Sequence, residues 1–155
     1  MRHEFMREAA KLALENAANG SGGPFGAVVV KDGKIVGRGV NRVTVENDPT
    51  AHAEVNAIRQ ATKSLGTFDL SGAEIYTSCE PCPMCLGAIY WARIGKIYYG
   101  CTAKDAAGIG FADQFIYDEL EQPKEKRKLS SVQLEREACL EAFRAWEQSP
   151  GKVPY

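Results

Sequence analysis

Ser78-Cys79-Glu80-Pro81-Cys82-Pro83-Met84-Cys85 is the stretch from which the rest of the chain can be placed. Three cysteines recur at every third residue, and Pro83 suits the first turn of a helix. If a helix begins there, Cys82 and Cys85 stand almost one turn apart and put two sulfurs on one face. The positive end of the helix dipole favours both as thiolates. Thiolates at this spacing close on a metal ion.

The complement lies upstream, in Pro49-Thr50-Ala51-His52-Ala53-Glu54. His52 offers an imidazole ligand and Glu54 a carboxylate. One histidine and two cysteines leave a fourth tetrahedral position open, which is the layout of a catalytic zinc site. Glu54 has a role only in that layout, as a proton carrier beside an activated water. His52 and Glu54 are two apart, and such residues share no face in mid-helix. They converge only where a helix has just begun. A closed structural site, with Cys79 as fourth ligand, stays open as an alternative. An iron–sulfur run does not fit, because Ile89 stands where a further cysteine is needed. His3, Cys101 and Cys139 read as surface or core residues.

Around these segments the pattern alternates. Glu4 to Asn19 has helical spacing of apolar residues, and Gly20 to Pro24 ends it. Phe25 to Lys31 is an apolar run suited to a buried strand. Asp32-Gly33 signals a hairpin returning over Lys34 to Asn41. Asn47-Asp48-Pro49-Thr50 predicts a helix start, with Asp48 as cap and the helix reaching about Ser64. Ala73 to Thr77 is a third strand. Pro83 to Ala92 is a helix apolar enough to expect it buried. Lys96 to Gly100 is a fourth strand. A loop is expected over Ala106 to Phe115, a short helix at Ile116 to Leu120, a charged hinge over Glu121 to Ser130, and a helix from Val132 to Trp146. The alternation predicts an α/β fold: three layers, α/β/α, with a mixed central sheet and helices on both faces.

The chain has 155 residues, enough for one domain with a core of its own. The expected division is a single domain, with a catalytic core at 1–120 and a C-terminal helix and tail at 121–155. A formal net charge of -1 provides no global basic field to recruit nucleic acid. The N-terminal residues have no apolar signal-peptide core, and no stretch is long enough to span a bilayer. Five cysteines, an odd number, argue for a reducing cytoplasm and against a disulfide framework.

His52-Ala53-Glu54 with Pro81-Cys82-Pro83-Met84-Cys85 resembles the signature of the zinc-dependent nucleobase and nucleoside deaminases. Gly26-Ala27-Val28, Asn41 and Asn47 to Ala51 extend the likeness, from about Pro24 to Gly100. Within that superfamily, Glu80 to Arg93, Gly110 to Tyr117 and the terminal Tyr155 are similar to the bacterial guanine deaminases. The core is also similar to the tRNA adenosine deaminases.

The resemblance implies a cytidine-deaminase-like fold and one zinc ion per subunit on His52, Cys82 and Cys85. It implies hydrolysis of an amino group from a purine base, with Glu54 and Asp113 as catalytic residues. It also implies substrate contacts from Asn41, Phe25, Trp91 and Tyr155. Each has a plainer reading: Asn41 as a turn former, Asp113 as a helix cap, Phe25 and Trp91 as core, Tyr155 as a loose terminus. A homodimer whose C-terminal segments exchange is implied as well, so that Tyr155 closes a neighbour's site. Two other functions remain open. A tRNA adenosine deaminase needs a basic surface, and Lys124, Lys126, Arg127 and Lys128 are interleaved with acids. A zinc-stabilised interaction module without catalysis leaves Glu54 idle.

Overall fold

A computed structural model describes residues 1–155. Four strands form one sheet: β1 (Gly26–Lys31), β2 (Lys34–Val40), β3 (Ala73–Cys79) and β4 (Lys96–Cys101), in the order β2-β1-β3-β4. β1 pairs antiparallel with β2 and β3, and β3 pairs parallel with β4. The sheet is therefore mixed, as the alternation predicts. Asp32 and Gly33 both take positive φ, 51° and 73°, which is the conformation a tight hairpin demands at both central positions.

Helix α1 (Arg2–Ala18) covers one face of the sheet, where Phe5, Met6 and Leu12 pack on Val28, Val30 and Tyr76. Helices α3 (Ala53–Leu65) and α4 (Pro83–Trp91) cover the other, closing Ala57, Ala61 and Ile89 over Ala27, Val29 and Ile75. α3 lies very close to the sheet, because small residues face each other across the contact. A Cβ on Gly37 would come 2.3 Å from Ala57 O, and one on Gly39 2.2 Å from Ala53 O. Glycine alternates at period two on β2 and alanine recurs every four residues on α3, at 53, 57 and 61, so backbone meets backbone along the whole contact.

Several local expectations are corrected. The segment expected to open a helix at Asn47 instead follows a short helix, α2 (Val43–Glu46), which Asn47 closes in the left-handed conformation. Asp48 caps a turn: its Oδ1 accepts from Thr50 N at 2.9 Å and Thr50 Oγ1 at 2.6 Å. The main helix begins at Ala53, with His52 as its N-cap. α4 is not buried throughout; Cys85 and Ile89 face inward while Met84, Tyr90 and Trp91 are exposed. It is a surface helix with one narrow buried edge. The expected loop from Ala106 starts inside a helix, α5 (Ala103–Gly108), because Thr102 and Asp105 form a reciprocal capping box.

The chain divides into two compact units, Met1–Gln114 and Phe115–Tyr155. The second contains all but the first residue of α6 (Gln114–Glu121), a 3₁₀ turn at Lys124–Lys126 and α7 (Arg136–Gln148). Arg127 donates to the carbonyls of Glu119, Gln122 and Leu120. That ties α6 to the segment expected to be a free hinge. α7 starts later than expected, since Glu135 adopts φ 52° and cannot continue a right-handed helix. No helix is long and apolar enough to cross a membrane.

Candidate metal centre and substrate cavity

Two helix starts meet at the site. His52 is the N-cap of α3 and Cys82 the N-cap of α4; both are extended, with ψ 157° and 169°. Cys85 follows in the first turn of α4. A cap residue lies outside the helical rotation, so His52 can aim at the same point as Glu54 although the two are only two positions apart. Both helices direct the positive ends of their dipoles there.

His52 Nδ1 is 3.5 Å from Cys82 Sγ and 3.5 Å from Cys85 Sγ. All three ligand atoms lie within 4.8 Å of one another. A tetrahedral ion at ordinary Zn–N and Zn–S bond lengths separates nitrogen from sulfur by roughly 3.6 Å. The side chains therefore fit zinc as they stand. Cys79 is not in the cluster. Its Sγ instead approaches Thr102 O at 3.6 Å, which disfavours the closed four-ligand site.

The electrostatics suit a metal. Cys82 is drawn down to about 4, chiefly because the Cys85 thiol donates to its sulfur, with His52 adding to the effect. The same shared proton pushes Cys85 up. His52 is raised, first by its hydrogen bond to Cys82. One thiolate, one thiol and an imidazole thus hold a proton where a cation can replace it.

Glu54 is 7% exposed, at the second position of α3. Burial pushes its carboxyl up to about 7, opposed by a backbone hydrogen bond and reinforced by the Cys82 charge. A carboxyl poised near neutrality can take and return a proton at physiological pH.

Beside this cluster opens a cavity of about 470 Å³, large enough for a small heterocycle. Phe25, Asn41, His52, Glu54, Cys82 and Asp113 all line it. Asn41 is buried, and its Oδ1 accepts from Val43 N at 3.2 Å, so it also forms the turn its residue type suggests. Asp113 is raised, mainly by burial, with the Cys82 and Glu80 charges adding to it. Trp91 is 68% exposed and does not line this cavity, nor is it core. Its placement at the last residue of an exposed helix face puts it outside the pocket of its own chain. Tyr155 ends the second unit and is exposed.

Two lining residues escaped the sequence reading. Phe111 meets Phe25 edge to face, with ring centroids 5.0 Å apart at 87°. The signal was Gly110-Phe111 in the loop that carries Asp113, but nothing local shows which way that ring turns. Glu80 accepts from Ala103 N at 3.0 Å and also lines the cavity.

Comparison with known proteins agrees with this geometry. The chain is 52% identical, over the full length of both, to a guanine deaminase of Bacillus subtilis. It is 45% identical over 107 residues to a tRNA-specific adenosine deaminase of Agrobacterium fabrum, covering 69% of this chain and 68% of that protein. A crystal structure of the Bacillus subtilis guanine deaminase superposes with a TM-score of 0.96 at 50% identity, over 100% of this chain and 99% of that one. Residues 1–101 match the model of the cytidine and deoxycytidylate deaminase zinc-binding region, and the chain belongs to that zinc-dependent deaminase family.

Proposed function

We propose that the protein is a guanine deaminase, hydrolysing guanine to xanthine and ammonia. The observation that carries this is the buried Glu54 carboxyl beside the His52, Cys82 and Cys85 cluster, at the end of a cavity sized for a purine. The full-length likeness to a guanine deaminase supports guanine over other substrates.

His52, Cys82 and Cys85 would hold zinc, which supplies a hydrolytic nucleophile at neutral pH by acidifying a water. Glu54 would accept a proton from the attacking water and deliver it to a ring nitrogen next to the reacting carbon. It then takes the proton of the newly added hydroxyl and passes it to the departing amine, so that the carbonyl forms as ammonia leaves. Asp113 faces the base as an acceptor for its N–H groups and assists that second transfer. Asn41 uses its remaining amide groups against the base edge, while Phe25 supplies a ring face.

The expected substrate contacts from Trp91 and Tyr155 have one consistent reading, a homodimer. Trp91 lies outside the cavity of its own chain, so it can reach a purine only across an interface. The second unit buries no residue of α6 or α7 and exposes Phe115, Leu120 and Phe143. A unit of about 40 residues rarely builds a core alone. A second copy that exchanges C-terminal segments would cover those faces and bring Tyr155 to the neighbour's site. In this reading 1–155 works as one deaminase domain, completed by its partner. The setting is purine catabolism in a reducing cytoplasm, which five free cysteines suit.

The test is ammonia release by the zinc-loaded protein from guanine, cytosine, adenine, cytidine and an anticodon stem-loop. Turnover of guanine is expected. Turnover of the RNA alone would overturn the assignment in favour of a tRNA adenosine deaminase. Sedimentation of the same sample tests the dimer.

A further inference from the structure

We propose that Glu80 is a specificity-determining residue, forming with Asp113 an acceptor-rich wall that favours an uncharged, donor-rich aminopurine over its deaminated product. The proposal rests on the guanine deaminase reading above.

Glu80 lies in the turn between β3 and α4, two residues before Cys82. Its position is fixed twice. Its backbone N–H donates to Cys101 O at 2.8 Å, and its Oε2 accepts from Ala103 N at 3.0 Å. The carboxylate is therefore oriented by the first turn of α5, and Glu80 lines the cavity. Asp113 reaches the same cavity from the loop after α5. Glu80 and Asp113 thus present their carboxyls to one cavity from two separate segments. No lysine or arginine lines the cavity. Its one basic group, His52, belongs to the metal cluster.

An ionised carboxylate only accepts hydrogen bonds. Guanine offers the wall N–H donors, including those of its exocyclic amine. Hydrolysis adds water and removes ammonia, so a C–NH2 donor becomes a C=O acceptor at the same carbon. The dioxopurine left behind is also the stronger acid. Acceptor then faces acceptor, and an anionic product faces carboxylates with no lysine or arginine beside them. The same wall that draws the substrate in thus helps to expel the product. A nucleotide phosphate meets the same unfavourable field.

A structural role for Glu80, bracing Ala103, predicts something different. Glu80→Gln separates the two, because its amide oxygen can still accept from Ala103 N while the charge is gone and a donor is added. Steady-state assays would give KM for guanine and the inhibition constant of xanthine, with zinc content and unfolding midpoint measured alongside. The expected result is a weaker guanine KM and tighter xanthine inhibition, the ratio of inhibition constant to KM falling roughly tenfold, as loss of a hydrogen bond to a charged group predicts. Zinc content should not change. An unaltered ratio, with or without a loss of kcat, overturns the proposal while guanine turnover by the unsubstituted protein still stands. Absence of that turnover overturns the functional assignment and the proposal with it.

Discussion

Phe25 and Phe111 meet edge to face, with centroids 5.0 Å apart, and so join the start of β1 to the loop beyond α5 across the cavity. One ring precedes the first strand and the other comes long after the last. Their contact closes a wall that no single segment could make. Such pairs contribute about 0.5–1.5 kcal/mol beyond their area. Phe111→Ala should raise KM for the base roughly three- to tenfold, with kcat less affected and zinc content unchanged. An unchanged KM in steady-state assays would remove Phe111 from the binding surface.

Glu54 is the proton carrier in the proposed mechanism. Glu54→Gln should lower kcat by about 10²–10⁴, while zinc content and unfolding midpoint stay near the parent values. The amide is nearly isosteric and removes a buried group of raised pKa, so folding should not suffer. A variant that keeps more than a tenth of the parent rate would sink the assignment.

Zinc should bind with a stoichiometry of one and depend on three side chains. Cys79→Ser should keep full zinc, because the Cys79 sulfur is directed at Thr102 O and not at the cluster. Cys85→Ser and His52→Ala should lose it. Loading the metal-free protein near neutral pH should release protons, since Cys85 holds its proton tightly until a cation displaces it. Metal analysis and a weakly buffered titration check both. Full zinc in Cys85→Ser would contradict the ligand set.

The close approach of α3 to the sheet gives a sharp stability prediction. Gly39→Ala places a methyl 2.2 Å from Ala53 O and 2.3 Å from Ala57 N, both backbone atoms that cannot swing aside. α3 must shift, and its first residues hold His52 and Glu54. The expected cost is at least about 1–3 kcal/mol, seen as a lower denaturant midpoint, together with weaker zinc retention. A neutral midpoint would mean that this contact is looser than described.

Acid sensitivity follows from three aspartates at or near the surface. Asp48, Asp69 and Asp105 are each held below the usual carboxylate range, by bonds from Thr50, Ser71 and Thr102 respectively. A depressed carboxyl stabilises the fold fully above its unfolded pKa, and that contribution is lost as pH falls through the folded value. Thermal midpoints should therefore decline below about pH 4. Asp105→Ala, which removes the α5 capping box, should differ from the parent more at pH 6 than at pH 3. An equal difference at both pH values would show that the charge contributes nothing.

The sequence by itself determined the local elements of the centre. Cys82-Pro83 marks a helix start, Cys85 follows one turn later, and Asp32-Gly33 forces the hairpin; these are short-range rules of backbone geometry. It misplaced the start of α3, because Asp48-Pro49 resembles a cap and only the competing turn to Thr50 reveals otherwise. It also made α4 too buried, since apolar composition does not say how much of a helix the sheet will cover. Only the tertiary structure decided that Cys79 turns to Thr102 and not to the cluster, that Trp91 lies outside its own chain's cavity, and that Phe111 and Glu80 line it. Those outcomes depend on which faces meet across the sheet, set here by Gly37 and Gly39 against Ala53, Ala57 and Ala61. Such a match between distant segments leaves no mark in the spacing of either one.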